Sequence, residues 1–173
     1  MSISEPLLQE LAHEMAGVRA TFERVPPEKL DWTPHDRSMT FRGLVTHIAN
    51  IPKWGRMTIE TDEYDFAPDG VPEREEPVES VEAALAAFDE NVRGFEGALR
   101  GASDDDLSQL WALKGNGEVV FQMPRIAALR GMIMNHAIHH RAQLALYLRL
   151  NDVPVPALYG PTADDAAAAA NQA

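Results

Sequence analysis

Apolar positions recur along the chain with a helical period in four long segments. From about Ser4 to Arg24, Leu8, Leu11, Met15, Val18, Phe22 and Val25 follow one another at steps of three and four. That spacing lines one face of an amphipathic helix. Ser4 suits its start, and Val25-Pro26-Pro27 stops it. A second helix is predicted from about Thr40 to Thr61, with Leu44, His47, Ile48, Ile51 and Trp54 on its inner face. Pro52 removes a backbone donor in its middle, so a kink is expected there. The third, from about Ser80 to Arg100, has the cleanest stripe: Val81, Leu85, Phe88, Val92, Phe95 and Leu99. Ser80 caps it and Gly101 ends it. The fourth runs from Pro124 to about Leu150 and is apolar on more than one face. A helix of that kind is central, or it also faces a second subunit.

The connectors read differently. Glu28 to Met39 is a link in which Trp32 plugs one end of the helices and His35 is solvated. Residues 62–77 are acidic and Pro-rich and are expected to form a surface loop without regular structure. Ser103-Asp-Asp-Asp suggests one short helical turn. Two short apolar runs flank Gly115-Asn116-Gly117, the pattern of a β-hairpin covering an edge of the core. The pattern predicts an all-α fold, a four-helix bundle with a small β-hairpin inserted before the last long helix. Residues 1–165 are expected to form one domain, and residues 166–173 a tail too weak to hold structure alone.

Composition narrows the classes. The 173 residues suffice for one sizeable core, and 45% hydrophobic content is ordinary for a globular chain. No run reaches the length of a membrane span. The N-terminus has neither a basic nor an apolar leader segment, so the cytoplasm is the expected location. Cysteine is absent, which excludes disulfides, a cysteine nucleophile and protein thiolate ligands. The formal net charge of −12 makes nucleic acid a poor partner.

The candidate chemistry lies in the fourth segment. His136 and His140 are four residues apart, which stacks them on one helix face. Met132, Ile133, Leu144, Tyr147 and Leu148 surround them, so the face is buried. Buried imidazoles need partners for both nitrogens, and a metal ion supplies one. If the second and fourth helices face each other, His47 completes a three-histidine set with open positions for water or substrate. Such a set suits Zn or Ni ahead of Fe or Mn. The plain alternative is a satisfied polar layer inside a structural bundle. His139 points about 60° away from His136 around the helix, which favours a core or interface role over ligation. Gln143 lies near the His136–His140 face and can orient a ring nitrogen. Ala137 follows His136, so this is not a His-Glu-x-x-His protease motif. Glu60, Glu63 and Tyr64 are unranked candidates for a general base, and His13 is expected to be exposed.

These residues carry a resemblance. Trp32-Thr-Pro34, His47, Asn135-His136-x-x-His139-His140-Arg141-x-Gln143, Tyr147-Leu-Arg149, Val153-Pro-Val-Pro156 and Tyr159-Gly-Pro161-Thr162-Ala-Asp164 resemble the DinB family, also called DinB/YfiT-like metalloenzymes. The likeness spans nearly the whole chain. It implies a four-helix bundle that holds a divalent metal ion through His47, His136 and His140. Members are often homodimers, and relatives include transferases and isomerases that use a low-molecular-weight thiol: bacillithiol, mycothiol or glutathione. The family name refers to DNA-damage induction and so to stress. The expected function is therefore a metal-dependent enzyme of thiol S-transferase or hydrolase type acting on a small molecule. The alternative is a non-catalytic, stress-linked module that binds a metal or small ligand.

Overall fold

The computed structural model describes residues 2–170. The chain is mostly helical. Helix α1 spans Ser4–Phe22, α2 Phe41–Glu60, α3 Val81–Gly101, and a short α4 Asp104–Ser108. The last long rod is built in three parts: α5, Arg125–Ala128; a π-helical stretch, Leu129–Met134; and α6, Asn135–Leu150. Helix α7 covers Ala163–Ala170. Both α1 and α2 pack against α3 and α6. Fully buried Leu11, Phe22, Phe41, Ile48, Phe88 and Phe95 anchor the core between them.

Local chemistry explains the boundaries. Thr40 accepts from the Gly43 amide and starts α2, and Ser80 accepts from the Ala83 amide and starts α3. Ser103 and Asp106 form a reciprocal capping box on α4. Pro52 lies inside α2, and the helix continues through it. Asn91 Nδ2 donates to the Ala49 carbonyl at 2.9 Å, supplying a donor in the turn that the proline disrupts. Helices α2 and α3 approach closely at Gly55, where a Cβ would lie 2.6 Å from the Phe95 ring. Only glycine leaves room for that ring.

Three features differ from the sequence pattern. The hairpin forms, with β2 at Leu110–Gly115, β3 at Glu118–Pro124 and a turn at Asn116-Gly117, where φ is 52° and 80°. It is not alone, because residues 62–77 are not wholly irregular. Glu63–Asp65 forms β1, which pairs parallel with β2 in a sheet ordered β1-β2-β3. The Asp65 carboxylate accepts from the amides of Ala67, Asn116 and Gly117, and these bonds lower its pKa from the ordinary carboxylate value. This pairing joins residues about fifty positions apart and leaves no local periodic signal.

The second difference is the π-helical stretch within the rod predicted as one helix. It sits one residue before Asn135 and re-aims the side chains that follow. The third is α7, which occupies residues 163–170 where a weak tail is predicted from 166; residues 171–173 lie outside the described residues. Its start is tied down. Asp164 takes a bidentate bond from Arg149 at 2.8 and 2.7 Å and accepts from the Val155 amide at 3.0 Å. Asp165 and Thr162 cap each other. Among the described residues, no helix is long and apolar enough to cross a membrane.

Candidate metal centre

The second and last long rods bring His47, His136 and His140 together. Their rings lie 4.6 to 4.9 Å apart between centroids, and one ligand atom from each lies within 4.8 Å of the others. His47 Nε2 and His136 Nε2 are 3.1 Å apart. Tetrahedral zinc with bonds of about 2.0–2.1 Å spaces its nitrogens by about 3.4 Å, so two of the three already sit near that spacing.

Partners behind the rings set which nitrogen faces inward. Gln143 Oε1 lies 2.7 Å from His140 Nδ1 and accepts its proton, which leaves Nε2 as a lone pair. Glu75 Oε2 lies 3.1 Å from His47 Nδ1 and does the same for His47. His136 is held differently: its ring stacks on Trp54, at 5.8 Å and 22°. The His47 Nε2 lone pair so left faces His136 Nε2, and a proton or a cation between the two nitrogens satisfies both.

Charge is the other half of the fit. Burial pushes His136 down to about 4, and the neighbouring charges of His140, His47 and His139 add to that effect. Burial also lowers His140, partly opposed by its bond to Gln143. His136 and His140 are therefore held as neutral imidazoles, the form that binds metal. Glu75 Oε1 is buried without a partner among the described residues. A carboxylate oxygen so placed is costly unless positive charge lies close by. The donor set, the ring orientation and the carboxylate all fit a divalent cation.

Glu75 reaches His47 because its loop is pinned to α2. The Val78 amide donates to Thr46 Oγ1 at 3.0 Å, and Arg42 Nη1 donates to the carbonyls of Val78 and Glu79 at 2.8 and 3.1 Å. The sequence pattern reads this stretch as a solvated connector; instead it turns one carboxylate inward. Outer-sphere groups of this kind tune affinity by about 10- to 100-fold. Glu75→Ala is accordingly expected to weaken metal binding by about that factor, while Glu75→Gln, which can still accept through its amide oxygen, loses less. Competition titration against a chromogenic chelator reads both. Equal affinity in Glu75→Ala and wild type would remove the role.

The lowered His136 also makes a stability statement. An unfolded histidine titrates near 6.5, so between that value and about 4 the unfolded chain holds more protons than the folded one. Stability of the metal-free protein therefore rises with pH across this window and is eroded by acid. His136→Gln is expected to flatten the slope. Urea melts of metal-stripped protein near the two ends of the window measure it, and an unchanged slope contradicts the assignment.

The other candidates fall elsewhere. His139 lies outside the three-histidine cluster, and the core role expected for it is not seen: its position on α6 is exposed. His13 and His35 are exposed too. Glu60 pairs with Arg56 at 2.9 Å and Glu63 with Lys114 at 2.6 Å. Tyr64 donates to Glu73 at 2.8 Å, and burial with that bond pushes its hydroxyl up to about 12. None of the three touches the histidines by hydrogen bond.

Two buried networks were not legible from spacing. Arg125 is buried and donates to the carbonyls of Thr58, Thr61 and Asp106 and to Asp62. It satisfies carbonyls at the end of α2 that have no helical partner. Next to His140 in the chain, Arg141 forms a buried ion pair with Glu14 at 2.8 Å, and the Tyr159 hydroxyl bonds both. Gly17 makes room for that guanidinium; a Cβ there would lie 2.6 Å from Arg141 Nη1. The only sequence clue to this second network is the Arg141 of the histidine motif.

Beside His136 opens a cavity of about 260 Å³. Its walls come from Trp54 and Met57 of α2, Phe66, Trp111 and Leu113 of the sheet region, and Met132 of the π-helical stretch. The histidine cluster thus has protein behind it and an apolar chamber at one side.

Known proteins show the same architecture. A DinB-like protein from Bacillus cereus superposes with a TM-score of 0.68 at 20% identity, covering 91% of this chain and 98% of its own. A DinB-like protein, YjoA, from Bacillus subtilis gives 0.69 at 15% identity, covering 91% and 100%. No curated protein matches the chain. Residues 10–144 match the sequence profile of the DinB superfamily, most of the length and all three clustered histidines. With that match over a shared helical fold, the chain belongs to the DinB superfamily.

Proposed function

We propose that this chain is a four-helix-bundle metalloenzyme in which His47, His136 and His140 hold a divalent ion, Zn or Ni ahead of Fe or Mn. The observation that carries the reading is the convergence of three imidazoles, two with their Nδ1 atoms turned to Glu75 and Gln143. An ion held by three histidines supplies Lewis-acid activation of a thiol or water at neutral pH. The chain's own residues do the rest. Glu75 and Gln143 orient the rings, Trp54 fixes His136, and the apolar chamber excludes water from one side. A thiol S-transferase or a hydrolase acting on a small molecule fits this division. Exposed Leu146 and Leu150, at 56% and 55% on α6, support a homodimer through that helix.

The test is turnover by metal-loaded protein with an electrophile, with and without glutathione, bacillithiol or mycothiol. Stimulation by one thiol supports the transferase, and thiol-independent hydrolysis supports the hydrolase. One observation favours a non-catalytic binding module: Glu60, Glu63 and Tyr64 are bonded away from the histidines. Metal binding without turnover across these substrates would select that module.

A further inference from the structure

We propose that the chamber beside His136 is the substrate pocket and that it takes an uncharged molecule of one or two fused aromatic rings. The inference rests on the three-histidine cluster being the reactive centre, and it names the class of molecule that centre meets. Size is the first ground. An enclosed volume of 150 Å³ accommodates a benzene ring, so the cavity of about 260 Å³ leaves space for a second fused ring.

The walls are the second ground. Trp54, Phe66 and Trp111 present aromatic surface, and Met57, Leu113 and Met132 fill between them. Aromatic faces and methionine sulfur both favour flat, polarisable guests. Trp54 also stacks on His136, so a ring lying among these walls is next to a candidate ligand.

The polar groups are the third ground, because they discriminate against charge and do not invite it. The Thr58 hydroxyl is already bonded to the Trp54 carbonyl at 2.9 Å, and Tyr64 to Glu73 at 2.8 Å. Glu73 is the single charged side chain in the lining among the described residues. It repels anions, and no lysine or arginine lines the chamber to receive a carboxylate or phosphate. A carboxylated guest therefore loses both hydration and Coulomb energy on entry. The position of Glu73 is set by the loop that also carries Glu75: the Glu73 amide donates to the Phe66 carbonyl at 2.9 Å. One segment thus shapes the chamber and orients His47.

Calorimetric titration of metal-free protein with 2-naphthol and 2-naphthoate tests this directly. 2-Naphthol is expected to bind at least about tenfold more tightly, and Glu73→Gln is expected to narrow that ratio by weakening the repulsion. Leu113→Trp fills the chamber and should abolish 2-naphthol binding; Met57→Trp is a second filling variant if the first does not fold by circular dichroism. Preference for 2-naphthoate, no binding of 2-naphthol, or binding undiminished by a folded filling variant would overturn the proposal. Metal content of the same variants, measured by mass spectrometry, is expected to equal wild type. Because the titration needs no metal, failure of the pocket and failure of the metal centre give separate results.

Discussion

Replacing His140 with alanine is expected to reduce bound metal to background in protein purified without a nickel column. The residue is one of three ligands, it is nearly buried, and its Nδ1 is held by Gln143 at 2.7 Å. Losing a supporting group behind a ligand costs about 10- to 100-fold in affinity, and losing the ligand itself costs more, so a loss beyond about 100-fold is expected. Two comparisons separate ligation from general damage. Gln143→Ala removes only the orienting bond and should fall in the smaller range. His139→Ala alters an exposed neighbouring histidine and should leave metal content unchanged. Elemental analysis of the three variants beside wild type gives the ranking. Full metal occupancy in His140→Ala would dismantle the proposed centre.

The largest stability effect is expected at Arg141. Its side chain and that of Glu14 are 3% and 8% exposed, and they pair at 2.8 Å. Removing one member of a buried pair leaves an uncompensated charge and costs about 3–5 kcal/mol. For a chain of this size that is a drop in Tm of about 6–20 °C. Replacing both members with apolar residues, as in Glu14→Leu with Arg141→Met, should recover much of the loss, because no charge remains buried. The Tyr159 hydroxyl bonds both groups, so Tyr159→Phe should give a smaller loss of about 1–3 kcal/mol. Thermal melts of the three variants measure the order. A Tm for Arg141→Met within about 3 °C of wild type would show that the pair carries little of the stability.

This network bears on the metal centre through chain connectivity. Arg141 directly follows His140, and its bond to Glu14 fixes that part of α6 against α1. The same guanidinium stacks over the Tyr159 ring at 5.0 Å, tying the segment before α7 to the body. The motif residues therefore divide their work. The imidazoles face the interior between α2 and α6, and the arginine beside them secures the opposite flank of the helix.

Much of this was legible before any coordinates. The four apolar stripes are local facts, because residues three and four apart share a helix face whatever surrounds them. The stop at Pro26-Pro27, the cap at Ser80 and the Asn116-Gly117 turn are equally local. So is the pairing of His136 with His140, and Gln143 lies within one turn of His140. Composition excluded cysteine ligation and left histidine, carboxylate and carbonyl groups as the available donors.

What the sequence determined alone was the set of rods, their buried faces and the chemical type of the candidate ligands. Only the tertiary structure decided that Glu75, from a stretch that reads as solvated acid, stands behind His47. It also decided that β1 joins β2, that a π-helical stretch precedes the histidines, and that Glu14 crosses to Arg141. The physical reason is common to these cases. Each depends on bonds between groups far apart in the chain, or on a shift in helical register imposed by packing. Such terms leave no periodic mark on the residues that supply them. A helix writes its inner face into its own sequence; a carboxylate that serves another element's histidine does not.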